Sequence, residues 1–320
     1  MMNEKKSIII ICDSDKNVGL GHYSRSIALK NIIKKNFKNI KVSIIVISNQ
    51  KKFFAKKIKR VTFYNLNKNI SKIIDIQKPT HCFFNLSPKF EKTRFKNFIK
   101  VFTDKKIKLI AIDNLFAYKK LLNHIWVPNI FLNSKYKNNF KFSYGWNRIL
   151  IDERKIVSQK RDNSLLIITG GTDKYNLYKK IPPLLERFFD NPINIRWVIG
   201  PFAKKPKIGN TKHNWYLYNK PSNLRKIYSK SSVAFVLFGV SFFEIVNYSI
   251  PCSVFSPKNK EDRSLEDEIG KKFYISNNLK FVIKNLFKKL QNIKKENFKA
   301  KKLAKLIDFK KRDVYIKKII

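Results

Sequence analysis

The chain has 320 residues, and 43% of them are hydrophobic, which is enough to fill two cores of ordinary domain size. Lys and Arg number 69 against 22 Asp and Glu, and the resulting formal net charge of +47 is spread along nearly the whole sequence. No zinc-finger, recognition-helix or RNP-type pattern accompanies this charge, so nucleic acid is not the expected partner, and no apolar run approaches the ~20 residues of a membrane span.

The first strong element is the isoleucine run Ile8–Ile11, which predicts a buried parallel strand. Helical periodicity begins at Tyr23, so Gly19 and Gly21 lie in a strand-to-helix turn, where missing Cβ atoms let backbone N–H groups approach a ligand. His22 falls in the first helical turn, whose dipole disfavours a positive charge, so we expect a neutral imidazole that can accept a proton. The alternative is a plain tight turn with a surface histidine.

Short apolar runs alternate with amphipathic segments along the rest of the first half, as in parallel α/β folds. The clearest helices are Tyr23–Lys35 and Lys89–Phe102. Strands are predicted near Ser7–Cys12, Val42–Ser48, Val61–Tyr64, His81–Phe84, Lys108–Asp113 and Ile125–Val127. The polar stretch Arg154–Ser164 is typical of a linker.

The same pattern restarts after this linker. Leu165–Thr169 predicts a second buried strand, Gly170–Asp173 a second glycine turn, and Leu177–Phe189 a helix. Further strands are predicted near Ile195–Ile199, Trp215–Tyr218, Val233–Phe238 and Cys252–Phe255. We therefore expect two Rossmann-like domains, residues 1–158 and 159–320. The basic, helical segment Phe298–Ile320 either packs back on the first domain or forms a solvated tail.

Four motifs together resemble a known family. They are Gly19-Leu20-Gly21-His22 with Arg25, Gly170-Gly171-Thr172-Asp173, Gly239-Val240-Ser241-Phe242-Phe243-Glu244, and Lys258-Asn259-Lys260-Glu261. Their order and spacing resemble, in diverged form, the UDP-sugar hydrolases of pseudaminic acid biosynthesis. Those enzymes are related in fold to the two-domain GT-B glycosyltransferases of peptidoglycan synthesis. The resemblance implies two domains facing a cleft, with His22 on one side and Gly171, Ser241 and Glu244 on the other.

The resemblance also implies roles for the matching positions. His22 would be catalytic, Asp13 would match the family's opening aspartate, and Gly19, Gly21 and Arg25 would form a substrate turn. The implied nucleotide-binding residues are Gly170, Gly171, Thr172, Asp173, Gly239, Ser241, Glu244 and Asn259.

The residues themselves favour a nucleotide site in the second half. Gly239 follows a buried strand, Ser241 is placed to cap the next helix, and that helix would offer N–H groups to a diphosphate. Glu244, one turn further, could accept hydrogen bonds from ribose hydroxyls. Two plainer alternatives remain open. Glu244 could be an ordinary first-turn acid favoured by the dipole, and Asp173 a turn or cap residue.

The first half departs from the family pattern at several positions. The family's opening arginine falls on Ile11, its Asp-His-Tyr on Asn85-Leu86-Ser87, a later arginine near Asp152, and a glutamine on Lys260. The nucleotide half is thus matched more fully than the sugar half.

The resemblance implies a hydrolase that releases UDP from a UDP-(di)acetamido-trideoxy sugar, and we expect it to use no cofactor and no metal. The alternatives are a GT-B glycosyltransferase with a UDP-sugar donor and a non-catalytic nucleotide-sugar binding protein. The three cysteines are isolated within apolar stretches, which suits reduced thiols, and no targeting signal is evident, so we expect a cytoplasmic protein. Its basic surface would suit peripheral contact with an anionic membrane face.

Overall fold

A computed structural model describes residues 6–48, 61–64, 70–87, 92–113, 115–130, 141–153, 161–221, 223–257 and 275–320. The chain divides into two compact units. The first unit comprises Met1–Asp152 together with Asp308–Ile320, and the second comprises Glu153–Ile307.

The described strands and helices alternate along most of the chain. The strands are β1 (Ser7–Asp13), β2 (Lys41–Ile47), β3 (Val61–Tyr64), β4 (His81–Asn85), β5 (Lys108–Ile112), β6 (His124–Trp126), β7 (Phe142–Ser143), β8 (Ser164–Ile168), β9 (Asn194–Ile199), β10 (Asn214–Asn219), β11 (Val233–Leu237), β12 (Cys252–Phe255) and β13 (Ile275–Ser276). The helices are α1 (Gly21–Asn36), α2 (Ile70–Gln77), α3 (Lys92–Thr103), α4 (Leu177–Phe188), α5 (Arg225–Lys230), α6 (Val240–Asn247), α7 (Leu279–Gln291), α8 (Ile293–Ala304) and α9 (Phe309–Ile319). None of these helices is long and apolar enough to cross a membrane.

The first unit is built on a parallel sheet with the strand order β3-β2-β1-β4-β5-β6-β7. Successive isoleucines of β1 alternate between its two faces. Ile8 and Ile10 belong to the core that includes Leu29 of α1 and Ile316 of α9. The neighbouring Ile9 and Ile11 belong to the core on the other face. Burial on both faces explains why β1 can be an uninterrupted apolar run.

The second unit repeats this plan, with the parallel strand order β10-β9-β8-β11-β12-β13. Leu165 and Ile167 of β8 pack in one core with Ile181 of α4 and Val282 of α7. The two parallel sheets are separate, which confirms the predicted α/β fold with two Rossmann-like units.

The strand order of each sheet reverses at one point. In the first unit β1 lies between β2 and β4, and in the second unit β8 lies between β9 and β11. At such a point the connections leave the sheet in opposite directions, which opens a crevice at the carboxyl ends of the two central strands. The glycine turns after β1, β8 and β11 all stand at these ends.

The prediction of one continuous helical segment over Phe298–Ile320 is wrong in one respect. The structure contains two helices there, because α8 ends at Ala304 and α9 starts anew at Phe309. The Asp308 side chain accepts the Lys311 N–H at 2.9 Å and so caps the second helix. Helix α8 lies in the second unit, and α9 packs on α1 in the first.

Candidate functional site

Asp13 and His22 form a hydrogen-bonded pair at the carboxyl end of β1. Asp13 is the last residue of the strand and His22 the second residue of α1, and His22 Nδ1 lies 2.6 Å from Asp13 Oδ1. An ionised carboxylate can only accept a hydrogen bond, so Nδ1 carries the hydrogen. In that tautomer of the neutral ring, Nε2 holds the lone pair. It makes no hydrogen bond to any residue in the described ranges, and the side chain is 13% exposed.

The carboxylate of Asp13 is held from two sides. Besides His22, the backbone N–H of Ser87 donates to both of its oxygens, at 3.0 and 2.9 Å. Burial acts to raise the pKa of Asp13, but the hydrogen bond from His22, the positive charge that His22 carries when protonated, and the bonds from Ser87 together outweigh it. The net effect is a pKa below the ordinary value of 3.8, so Asp13 is a carboxylate at neutral pH.

The turn between Asp13 and His22 is closed by local hydrogen bonds. Ser14 Oγ donates to the Gly19 carbonyl at 2.7 Å, and Gly19 has a φ of +85°, which only glycine adopts without strain. No side chain caps the amino end of α1. A Cβ added to Gly21 would meet nothing within 4 Å, so the space before the first helical turn is open.

Polar side chains from neighbouring strands complete this edge of the first sheet. Asn85, fully buried at the end of β4, donates to the His22 carbonyl at 2.7 Å and to Ser26 Oγ at 3.0 Å. The resemblance assigns Arg25 to the substrate turn, but the structure buries it and pairs it with Asp113 at 2.5 Å. Arg25 therefore joins α1 to the end of β5.

The glycine turn of the second unit leads from β8 into α4. Gly170 has a φ of +84°, and a Cβ there would contact the Leu237 side chain at 3.5 Å, which places the turn beside the end of β11. Both oxygens of buried Asp173 accept backbone N–H groups of α4, from Leu177 at 2.9 Å and Tyr178 at 2.8 Å. Asp173 thus caps the helix, which is the plainer of its two expected roles. Burial raises its pKa above 3.8 in spite of these bonds.

Gly200, directly after β9, packs against this turn. A Cβ at Gly200 would lie 2.3 Å from the Gly170 carbonyl oxygen and 2.6 Å from that of Gly171. The Phe202 N–H also donates to the Gly171 carbonyl at 2.9 Å. The position of the Gly170-Gly171 backbone therefore depends on Gly200, which is not part of any of the four sequence motifs.

In the turn between β11 and α6, the residue at the N-cap position of the helix differs from the prediction. Helix α6 begins at Val240 with Gly239 as the N-cap residue, and no side chain caps it. Ser241 is the second helical residue, so the expectation that it caps the helix is wrong. Gly239 has a φ of +155°, and a Cβ there would meet nothing within 4 Å. The space beside the start of α6 is thus open.

Glu244 lies within α6, and Tyr228 of α5 donates from its hydroxyl to Glu244 Oε2 at 3.0 Å. Tyr228 is buried, so it fixes the carboxylate against the body of the unit.

Thr172, in the glycine turn between β8 and α4, is half-buried. The predicted Asn259 lies outside the described residues.

Asn85, Ser87, Gly200 and Tyr228 were not assigned to the site from the sequence. A signal existed for three of them, because Asn85 and Ser87 directly follow the predicted strand His81–Phe84 and Gly200 directly follows Ile195–Ile199. Polar or glycine residues in that position lie at the ligand-binding edge of a parallel sheet. Tyr228 lies in an ordinary amphipathic segment and gives no such signal.

No protein-family model matches the sequence, and no curated protein matches it. Solved structures do, over nearly the whole chain. MurG from Acinetobacter baumannii is 12% identical, with a TM-score of 0.57 over 93% of this chain and 95% of that one. The UDP-GlcNAc 2-epimerase from Neisseria meningitidis, bound to UDP-GlcNAc, is 12% identical, with a TM-score of 0.56 over 98% and 99%. The spinosyn forosaminyltransferase SpnP is 8% identical, with a TM-score of 0.64 over 98% of both chains. At these identities the likeness concerns the fold alone, and by it this chain has the GT-B fold of two parallel-sheet α/β units.

Proposed function

We propose that this protein hydrolyses a UDP-sugar at its anomeric carbon, with His22 as the general base. The observation that carries the proposal is the 2.6 Å contact between His22 and Asp13 at the point where the first sheet reverses its strand order. A histidine oriented by a carboxylate, with its second nitrogen directed away from that carboxylate, is a common arrangement for proton transfer.

In the proposed reaction, water attacks the anomeric carbon while His22 Nε2 takes one of its protons. The remaining hydroxyl bonds to the sugar, and the bond between the anomeric carbon and the diphosphate oxygen breaks. UDP leaves with the electron pair of that bond. Asp13, ionised and held by the Ser87 N–H, stabilises the imidazolium that forms. Asn85 holds the His22 backbone, so the ring stays in place through the proton transfer.

We assign the nucleotide to the second unit. The backbone of Gly170, Gly171 and Thr172 and the uncapped start of α6 at Gly239 and Ser241 offer N–H groups to a diphosphate. Glu244 would accept hydrogen bonds from the ribose hydroxyls. Asp173 contributes by fixing the first turn rather than by contact. The neighbour of the same fold that is solved with UDP-GlcNAc supports a UDP-sugar as the ligand.

The family resemblance further suggests a UDP-diacetamido-trideoxy sugar as substrate, within surface-polysaccharide or nonulosonic acid biosynthesis. In the test, the purified protein is incubated with a panel of UDP-sugars, including this compound and UDP-GlcNAc, without any acceptor. Released UDP and free sugar are both quantified. Hydrolysis predicts that the two appear in equal amounts. UDP release that requires an added acceptor would instead identify a glycosyltransferase, and binding without turnover a nucleotide-sugar binding protein.

The substitution His22→Asn tests the role of the base. It should lower kcat by ~10²–10⁴ while leaving UDP affinity unchanged, because the nucleotide is assigned to the other unit. Thermal unfolding of the variant serves as the control for folding. Full hydrolytic activity in a folded His22→Asn protein would refute the role of His22 as the base. It would not affect the assignment of the nucleotide to the second unit.

A further inference from the structure

A pocket lies in the second unit, at the opposite end of the sheet from the glycine turns. It has a volume of about 450 Å³ and is formed where the segment Ile250–Cys252 enters β12 beneath α8. This volume falls within the ~300–1,000 Å³ that is usual for small-molecule sites. The amino ends of parallel strands lie away from the carboxyl-end crevice, so the pocket is separate from the proposed nucleotide site.

The wall of this pocket is mainly apolar. Ile250 and Pro251 come from the segment before β12, and Ala300, Leu303 and Leu306 come from α8 and the turn that follows it. Leu306 is 45% exposed, so the apolar wall continues to the surface. Such a wall fits an aliphatic chain.

The charged residues of the pocket are mostly basic. Lys289, Lys299 and Lys302 line it together with a single acid, Glu296. Glu296 accepts hydrogen bonds from Lys289 and Lys299, each at 2.7 Å, so its charge is already neutralised. Lys302 lies at the surface, with its Nζ 4.5 Å from the centre of the Phe298 ring. Three cations against one anion leave a net positive lining that favours an anionic group.

The wall formed by α8 is fastened to the rest of the unit. The Arg161 guanidinium donates to Asn297 Oδ1 of α8 at 3.2 Å, and also to the carbonyls of Tyr248 at 2.7 Å and Ser249 at 2.9 Å. Tyr248 and Ser249 directly precede the segment that forms the opposite wall. The two walls are therefore linked by one half-buried side chain, and the pocket is preformed.

We propose that this pocket binds an aliphatic chain that ends in an anionic group. The chain would contact Pro251, Leu303 and Leu306, and the anionic group would bind Lys302 and Lys299 at the rim. This is a site additional to the proposed active site and requires a different ligand chemistry.

The test uses calorimetry with dodecyl phosphate below its micelle concentration. We expect saturable binding, at least tenfold weaker binding of uncharged dodecyl maltoside, and none of inorganic phosphate at the same concentrations. Leu303→Trp should abolish binding by filling the pocket, and Lys302→Glu should weaken it about tenfold. The matched control is Lys294→Glu, which makes the same charge change on the same helix at an exposed position outside the pocket.

Equal affinity for dodecyl phosphate and dodecyl maltoside would overturn the proposal, as would equal loss in Lys302→Glu and Lys294→Glu. Thermal unfolding of every variant is the control for folding. Co-sedimentation with phosphatidylglycerol vesicles identifies the source of the chain. If the protein sediments with the vesicles and Leu303→Trp abolishes this, the natural ligand is a membrane lipid. If the protein binds dodecyl phosphate but does not sediment with the vesicles, the natural ligand is a free molecule.

Discussion

At the scale of single residues, Asp13 shows how one buried carboxylate is kept charged. Three hydrogen bonds converge on it, from the His22 ring and, at both oxygens, from the Ser87 backbone. The Ser87 N–H belongs to the backbone, so this support does not depend on the side chain at that position. Asn85 similarly serves through its amide, which donates to the start of α1. Asn85 at the end of β4 and Ser87 just after it therefore both support the Asp13–His22 pair.

Glu244 offers a direct test of the nucleotide site. Glu244→Ala should weaken UDP binding by ~1.5–3 kcal/mol, the cost of losing a charged hydrogen-bond partner. Tyr228→Phe, which removes only the hydroxyl that orients Glu244, should cost less, ~0.5–1.5 kcal/mol. Calorimetric titration with UDP measures both.

Tyr248→Phe is the matched control for Tyr228→Phe. The two rings lie 5.2 Å apart, and among the described residues the Tyr248 hydroxyl has no hydrogen-bond partner. Its removal should leave UDP affinity unchanged. If Glu244→Ala also leaves the affinity unchanged, Glu244 does not belong to the site.

The sequence predicts a residue's role in the site well when its hydrogen-bond partner is close to it in the chain, and poorly when the partner is distant. His22 and Asp13 are nine residues apart on either side of one turn, and the sequence places both at one edge. Asn85 and His22 are 63 residues apart and meet only because β1 and β4 are neighbours in the sheet. The residues next to Arg25 in the sequence do not reveal its structural role either, because its ion-pair partner, Asp113, lies 88 residues away.

At the scale of elements, the glycine turn after β8 is positioned by the end of β9. Gly200→Ala would place a Cβ against two carbonyl oxygens of the Gly170-Gly171 backbone. We expect a loss of ~1–3 kcal/mol in the free energy of unfolding, because the contact is with rigid backbone. UDP should also bind more weakly, since the displaced turn carries the N–H groups assigned to the diphosphate.

Urea unfolding and UDP titration measure these two effects. The control is Gly209→Ala, where an added Cβ would meet nothing within 4 Å. It should change stability by no more than ~0.5 kcal/mol. Indistinguishable results for the two variants would show that the close packing of Gly200 does not control the turn.

The central strands were predictable because burial on both faces leaves an uninterrupted apolar run, as in β1, β8 and β11. The edge strands β7 and β13 were not, since each has two residues and no periodicity of its own. The division of Phe298–Ile320 into α8 and α9 depends on the Asp308 cap within an otherwise continuous basic pattern. A single capping aspartate is a weaker signal than helical periodicity.

At the scale of the whole molecule, the first unit should be sensitive to acid. Burial, reinforced by nearby cationic side chains, lowers the pKa of both His81 and His124 from 6.5 to about 4. The unfolded chain therefore binds more protons than the folded one between these values. The contribution of these two histidines to the free energy of unfolding is therefore fully present above pH 6.5 and is lost as the pH falls toward 4.

Thermal unfolding between pH 7.5 and pH 4.5 measures this effect. We expect the Tm to decrease steadily below pH 6.5, and His124→Gln to reduce the slope. His124 Nε2 lies 3.1 Å from Ser143 Oγ and also contacts the Tyr315 hydroxyl, so its protonation would disturb the attachment of α9. A Tm that stays constant over this range would contradict the prediction.

The joining of Asp308–Ile320 to Met1–Asp152 has a consequence for synthesis on the ribosome. Ile316 of α9 packs in the same core as Leu29 and Ile33 of α1, yet it is translated after the entire second unit. Until it emerges, the part of this core that Tyr315 and Ile316 cover stays exposed beside α1, while strands β8–β13 of the second unit have already been synthesised. The unit begun first is therefore completed last, and the uncovered part of its core is open to a chaperone until then.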